Sequence, residues 1–367
     1  MRIVVAKRLG RRGEGLGNEM LPWAKGWIAS QVLDAHLVGP SWGVNRRKYY
    51  RNFGTSRFDF LLEDMLLRLP HHSITEDDYR ATGETDFGLA VEKWARGKHL
   101  TKSGSYIVSV AGMWGGYPAI RNARSFLLAK LLSSRDALRN VFQVSAKLAP
   151  GKLFAAVHMR TGGDFSPISE GESARGKFNR RVPGVWNMWV CEALLKHFGD
   201  RIEFRFFTDQ GGPDFEEAVR RFNPGQSVQE GLTECSDLLL MTMADIRICS
   251  ISSYSLVASF LSGGPYLWYE PQLTLTGELY SLWGAEPRQM ENGSLSQRSR
   301  AFVSSLTVDA PAEKGLPVDF MGTAMDIGDE LPRNLVYALE NRLRSVDPRT
   351  NLLEYGCLPS FERSHAR

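Results

Sequence analysis

The chain has 367 residues, 43% apolar and 23% charged, and its 45 basic side chains against 41 acidic ones leave a net charge of +4. This excludes a mainly disordered chain, provides material for two domains of roughly 150 residues each, and argues against a polybasic arm for duplex nucleic acid. Cys191, Cys235, Cys249 and Cys357 are too dispersed for a C-x-x-C site and too few for a disulfide scaffold, so the expectation is reduced thiols in a cytoplasmic protein.

The apolar run that opens the chain is interrupted by Lys7, Arg8, Arg11 and Arg12, so Arg2 to Lys7 reads as a first strand and not as a signal peptide. A glycine-rich turn follows, Gly10 to Asn18. It lacks the Lys-Ser or Lys-Thr of a Walker A loop, and Gly13-x-Gly15-x-Gly17 is not G-x-G-x-x-G. Its glycines let backbone N–H groups approach a ligand, and Asn18 reads as either a helix N-cap or a substrate contact. From about Glu19 to Leu33, the residues Met20, Trp23, Ala24, Trp27, Ile28 and Val32 recur at near-helical spacing, and Asp34 to Gly39 reads as a second strand.

The stretch Asn45 to Leu100 shows weaker order, although Phe58 to Leu69 has helical spacing that Pro70-His71-His72 terminates. The histidine pair has no partners at metal-ligand spacing. Ser105 to Ala111 reads as a strand and Arg121 to Leu148 as two helices. No apolar stretch approaches the ~20 residues of a membrane span, and no basic amphipathic helix stands out, so no integral membrane segment is expected.

The second half is more regular. Strands at Leu153 to Met159, Ile202 to Thr208, Ser227 to Glu230, Ile246 to Ser250 and Tyr266 to Tyr269 alternate with helices near Val185 to Phe198, Asp214 to Phe222, Ser236 to Met243 and Tyr254 to Leu261. That alternation predicts a parallel sheet with right-handed crossovers, a Rossmann-like α/β domain. Pro150-Gly151 marks the boundary, giving domains at residues 1–150 and 151–325. A final helix at about Pro332 to Arg344 and a tail occupy residues 326–367.

In an open α/β sheet, ligands bind outside the carboxyl ends of the strands. There the first strand of this half runs into His158-Met159-Arg160-Thr161-Gly162-Gly163-Asp164. A planar guanidinium can fork onto two phosphate oxygens and hold charge on a leaving diphosphate. Thr208-Asp209 ends another strand on the same edge. Ser250-Ile251-Ser252-Ser253-Tyr254-Ser255 ends a third and opens a helix, supplying hydroxyls and orphan amides to an anion. Asp237 and Asp245 are candidates for a base or ribose contact. Asp164, Glu170 and Glu172 are candidate general bases by proximity in sequence, with no arrangement that suggests a bound cation. Ser166 to Arg181 reads as a mobile loop with a possible lid role.

Three of these motifs resemble the fucosyltransferase superfamily that joins bacterial α-1,2- and α-1,6-fucosyltransferases with protein O-fucosyltransferases. His158 to Asp164 resembles its H-x-R motif, Gly15-Leu16-Gly17-Asn18-Glu19-Met20 its glycine-rich N-terminal motif, and Ser252-Ser253-Tyr254-Ser255 its serine-rich third motif. Glu14 and Glu19 stand where the family has glycine and glutamine, and a single Arg with a later Asp is closer to the protein O-fucosyltransferase form. The resemblance implies a GT-B architecture, two Rossmann-like domains with parallel sheets facing across a cleft, and a metal-independent, inverting transfer of fucose or a related sugar from GDP-fucose to a glycan or glycoconjugate hydroxyl. By position it implies that His158 contacts the nucleoside, Arg160 the β-phosphate, Ser252 to Ser255 the diphosphate, with Gly17 beside the donor and Asn18 facing the reaction centre. A GT-B enzyme using another nucleotide sugar, and an inactive binding protein of the same fold, are the alternative readings.

Overall fold

The computed structural model describes residues 1–9, 14–134, 137–138, 140, 151–163, 165–169, 171–175, 180–226, 233–262, 264–276, 279–281, 290–291, 294–295, 317–318 and 320–345. The expected strand Ser227 to Glu230, the turn residues Gly10 to Gly13, the candidates Asp164 and Glu170, and most of the second helix expected before Leu148 lie outside them. The chain divides into two compact units, Met1–Asp136 and Ala137–Arg367, a division earlier than Pro150-Gly151. Each is an α/β unit built on a parallel sheet, the two-domain class of a GT-B chain.

In the first unit, β1 (Arg2–Ala6) lies between β2 (His36–Val38) and β4 (Tyr106–Val110), with β3 (His72–Ile74) outside β4, all parallel. Val4, Val5 and Ala6 are fully buried, as a parallel strand covered on both faces requires. The crossover helix α1 (Leu16–Leu33) packs tightly on β1: a Cβ on Gly26 would lie 2.6 Å from the Ala6 Cβ. Trp27 of α1 stacks on Phe126, with ring centroids 5.0 Å apart.

After α2 (Asp59–Arg68) and β3, the stretch expected to be weakly ordered folds into α3 (Glu76–Thr82) and α4 (Phe87–Gly97). Its start signals are local. Thr75 and Asp78 close a capping box, and the Asp86 carboxylate accepts from Leu89 N at 3.0 Å. A short helix α5 (Gly116–Ala119) and α6 (Arg124–Leu132) complete the unit.

The second unit holds β5 (Leu153–Met159), α7 (Gly184–Phe198), β6 (Ile202–Thr208), α8 (Pro213–Phe222), α9 (Glu234–Met243), β7 (Ile246–Cys249), α10 (Ser253–Ser262) and β8 (Tyr266–Tyr269). Two hairpins follow, β9 (Thr274–Thr276) with β10 (Leu279–Ser281) and β11 (Met290–Glu291) with β12 (Ser294–Leu295), then β13 (Pro317–Val318), β14 (Phe320–Met325) and α11 (Arg333–Ser345). The main sheet runs β13-β14-β8-β7-β5-β6, parallel except for the β13–β14 pair. Strand β14 was not expected, because Gly322 and Thr323 interrupt its apolar run. Its core joins Leu153, Ala155, Val157 and Met159 to Trp186, Val190 and Leu194 of α7 and to Leu335 and Leu339 of α11. The terminal helix is therefore part of this unit's core.

Candidate functional site

The register of the second sheet puts Met159 opposite Thr208 and Val157 opposite Ile248, so β5, β6 and β7 end together. His158, Arg160, Thr208, Asp209 and Ser250 thus come to one edge from segments distant in sequence. His158 is 3% exposed, with Nδ1 2.6 Å from Ser255 Oγ and 2.7 Å from Ser250 Oγ. Burial, and secondarily the Arg160 cation, lower its pKa to about 3. The ring is therefore neutral at physiological pH. With Nδ1 engaged by hydroxyls, Nε2 is the nitrogen that can meet a ligand.

Arg160 is mostly buried. Its Nε lies 3.3 Å from Asp209 Oδ2 but finds no aligned hydrogen-bond acceptor among the described residues, and its guanidinium lies over the Phe165 ring at 4.8 Å. Asp209 also organises the loop that carries Arg160: Oδ1 accepts from Thr161 N and Gly162 N, each at 2.9 Å. A Cβ on Gly162 would fall 1.9 Å from Asp209 Oδ2, so glycine is needed for that approach. Thr161 Oγ1 and Thr208 Oγ1 lie 2.8 Å apart. Thr208 and Asp209 therefore shape the Arg160 loop, and Asp209 pairs at Nε, so that this pair does not occupy the two Nη groups, the fork that suits phosphate.

The serine-rich turn is more internally engaged than its sequence suggests. Ser252 caps α10 by accepting from Tyr254 N at 3.2 Å, Ser255 is fully buried against His158, and the Tyr254 hydroxyl donates to Glu234 O. Ser253, first in the helix, is half-buried. What the turn offers an anion is thus chiefly the first-turn amides of α10 and the positive end of its dipole.

Asp245 does not join this group. It precedes β7 at the sheet's opposite, amino edge, where Oδ2 accepts from Phe154 N at 2.7 Å and Oδ1 accepts from Arg342 Nε of α11 at 2.8 Å. It staples strands and terminal helix together. Glu172 is likewise engaged, accepting from Arg180 Nη2 at 2.6 Å and from Ser169 N at 3.0 Å. The segment expected as a mobile lid is cross-linked where it is described: Arg181 N donates to Ser166 O at 2.9 Å, and Gln272 Nε2 to Arg180 O at 2.9 Å.

In the first unit the N-cap of α1 is Gly15, without a side-chain cap bond, so Asn18 is not the cap. Gly17 is buried and Asn18 half-buried within the first turn. Sequence reasoning noted Glu19 only as a motif departure and missed Lys25, and it did not foresee that both are fully buried. Lys25 Nζ donates to Trp114 O at 3.0 Å and sits over the Trp114 ring at 3.5 Å. Because α1 is buried nearly all round, its periodicity could not single them out.

Glu19 Oε1 accepts from Glu14 N at 3.2 Å, while Oε2 has no hydrogen-bond partner among the described residues. Burial raises the Glu19 pKa from 4.5 to about 7. The folded state holds this proton where the unfolded chain releases it, so the stability it contributes is full below pH 4.5 and is lost as pH rises through 7. Glu19→Gln keeps an acceptor for Glu14 N and removes the ionisation. It is expected to stabilise the protein by on the order of 3 kcal/mol at pH 8 and little at pH 5. Thermal melts at both pH values check this, and equal shifts would refute it.

Among the described residues, no group of three or more His, Cys, Asp or Glu gathers as a metal site, and no helix is long and apolar enough to cross a membrane. No protein-family model matches the chain, and no curated protein matches it in sequence. Among solved structures, the chain is similar to POFUT1 in complex with GDP-fucose, at 13% identity over 72% of this chain and 95% of that one, with a TM-score of 0.39. It is similar to the fucosyltransferase NodZ from Bradyrhizobium at 14% identity over 70% and 92% of the two chains, TM-score 0.42. It is also similar to a mutant of Arabidopsis thaliana FUT1 in complex with GDP, at 14% identity over 80% and 73%, TM-score 0.38.

Proposed function

We propose that the chain is a GT-B glycosyltransferase that moves fucose, or a related sugar, from a GDP-sugar to a glycan hydroxyl by a metal-independent, inverting displacement. The observation that carries this reading is Arg160 at the carboxyl end of β5, its Nε in an ion pair with Asp209, 3.3 Å away, and its Nη fork uncommitted to that pair. In glycosyl transfer the bond from the anomeric carbon to the diphosphate oxygen breaks as the acceptor oxygen bonds to that carbon, and charge accumulates on the departing diphosphate. A fixed guanidinium and the first-turn amides of α10 stabilise that charge without reorganising.

Neutral His158 offers Nε2 to the nucleoside part of the donor. Gly17 and Asn18, at the head of α1, are the first unit's candidate substrate contacts. GDP, rather than another nucleotide, rests on the motif resemblance. A thermal-shift panel of GDP, UDP, ADP and dTDP tests it, since a ligand at 100 times its Kd stabilises by about 2.7 kcal/mol. GDP is expected to protect best, and stronger protection by UDP or dTDP would overturn the donor assignment. Incubation with GDP-fucose and a glycan array is expected to release GDP above the hydrolysis background. GDP binding without such release would instead mark a binding protein of the same fold.

A further inference from the structure

The helical spacing over Phe58 to Leu69 is real, but its apolar stripe faces outward. Phe58, Leu61, Leu62, Met65 and Leu69 are 63%, 56%, 44%, 55% and 48% exposed, whereas the buried positions of α2 are Glu63 and Leu66. At 100° per residue, Leu61, Leu62 and Met65 fall within an arc of about 100° on one side of the helix, and Phe58 and Leu69 flank it at the two caps.

Electrostatics fixes this orientation. Glu63 is 2% exposed, 3.2 Å from Arg8 Nη1, and accepts from Ser41 N at 3.2 Å and from the Ser41 hydroxyl. Asp64 pairs with the same arginine at 3.0 Å. Turning the apolar stripe inward would break both pairs and leave Arg8 partly buried without its carboxylates.

In the stretch that leads into and through α2 the exposed charge is positive. Arg46, Arg47, Lys48, Arg51, Arg57 and Arg68 are all exposed. Of the acidic residues in the same stretch, Glu63 is buried, Asp64 is paired with Arg8, and Asp59 is half-buried with a pKa raised by burial. The loop that carries the first basic residues packs against the start of the helix, since a Cβ on Gly43 would lie 1.7 Å from Arg57 O and 3.2 Å from the Phe60 ring. Most of the cations precede the helix, which is why no basic amphipathic helix stands out in the sequence.

We propose that this outward face of α2 docks the protein on an anionic phospholipid surface, with the stripe inserted at the headgroup boundary and the basic loop against the lipid phosphates. An exposed stripe of Phe, Leu and Met, on a helix whose preceding loop packs against its start and carries exposed arginines and a lysine, has the chemistry of an interfacial helix, and each basic side chain near such a surface strengthens partitioning by about fivefold. The inference does not depend on the proposed activity, because its readout needs no turnover.

The test is flotation of the full chain with vesicles of phosphatidylcholine mixed with phosphatidylglycerol, beside vesicles of phosphatidylcholine alone. Binding is expected to the mixed vesicles and to weaken as salt is raised. Leu61→Ser with Met65→Ser, and separately Arg46→Ala with Lys48→Ala, are each expected to lower partitioning at least ~10-fold with an unchanged melting temperature, because every altered side chain is exposed. Absence of binding to the mixed vesicles, or equal binding by wild type and both variants, would overturn the proposal. So would a dimer in sedimentation velocity that Leu61→Ser with Met65→Ser dissolves, since the stripe would then be covered by a second copy.

Discussion

Arg160→Ala is expected to lower kcat at least ~100-fold, the usual cost of removing a preorganised group aimed at charge that develops in the transition state. The side chain sits at the carboxyl edge of the sheet, 18% exposed, with Asp209 at Nε and Phe165 across its face. That support limits its motion without occupying the Nη fork. Arg160→Lys should fail substantially too, because an ammonium cannot reproduce a planar bidentate donor. The measurement is steady-state kinetics on the donor selected by the thermal-shift panel, with GDP affinity measured separately. Loss of kcat well beyond any loss of GDP affinity is the signature of an interaction made mainly in the transition state. Near-wild-type turnover would show that Arg160 belongs to a structural ion pair and nothing more.

Asp245→Ala should destabilise the second unit by about 1–3 kcal/mol, chiefly the cost of leaving the buried Phe154 N–H without its acceptor, since the Arg342 side chain is 34% exposed and its charge is largely screened by water. The carboxylate is 4% exposed and serves two elements, the Phe154 amide of β5 and the Arg342 guanidinium of α11. Its removal leaves a buried N–H unsatisfied and releases the terminal helix, whose Leu335 and Leu339 enter the core. A fall in melting temperature on the order of 5 °C is expected. Asp245→Asn, which retains one carbonyl acceptor, should lose less. The same experiment separates this reading from a donor contact: a base- or ribose-binding aspartate would weaken GDP binding in the folded variant with little change in melting temperature.

The contrast between Asp245 and Arg160 shows what sequence could and could not decide. Both stand beside buried strands, and a one-dimensional reading made both candidates. Arg160 follows its strand and Asp245 precedes its own, so in a parallel sheet they lie at opposite edges. The serine-rich turn was legible as a helix start after a strand. That three of its hydroxyls serve His158, the helix cap and Glu234 depended on contacts across the fold. Glu19 was visible as a departure from a motif, but nothing local announces that both flanks of α1 are covered.

The sequence by itself determined the α/β class, most of the second unit's strands and helices, and the three motifs. Those signals are local: apolar runs, 3.6-residue spacing, caps and turn residues within reach of one another. Only the tertiary structure decided which side of each element meets the core. For α2 it turned the apolar stripe outward, because Arg8 and Ser41, distant in sequence, hold Glu63 inside. Hydrophobic periodicity specifies a helix and a face, but burying a carboxylate beside its cation can outweigh the apolar preference, and that choice rests on partners no local window contains.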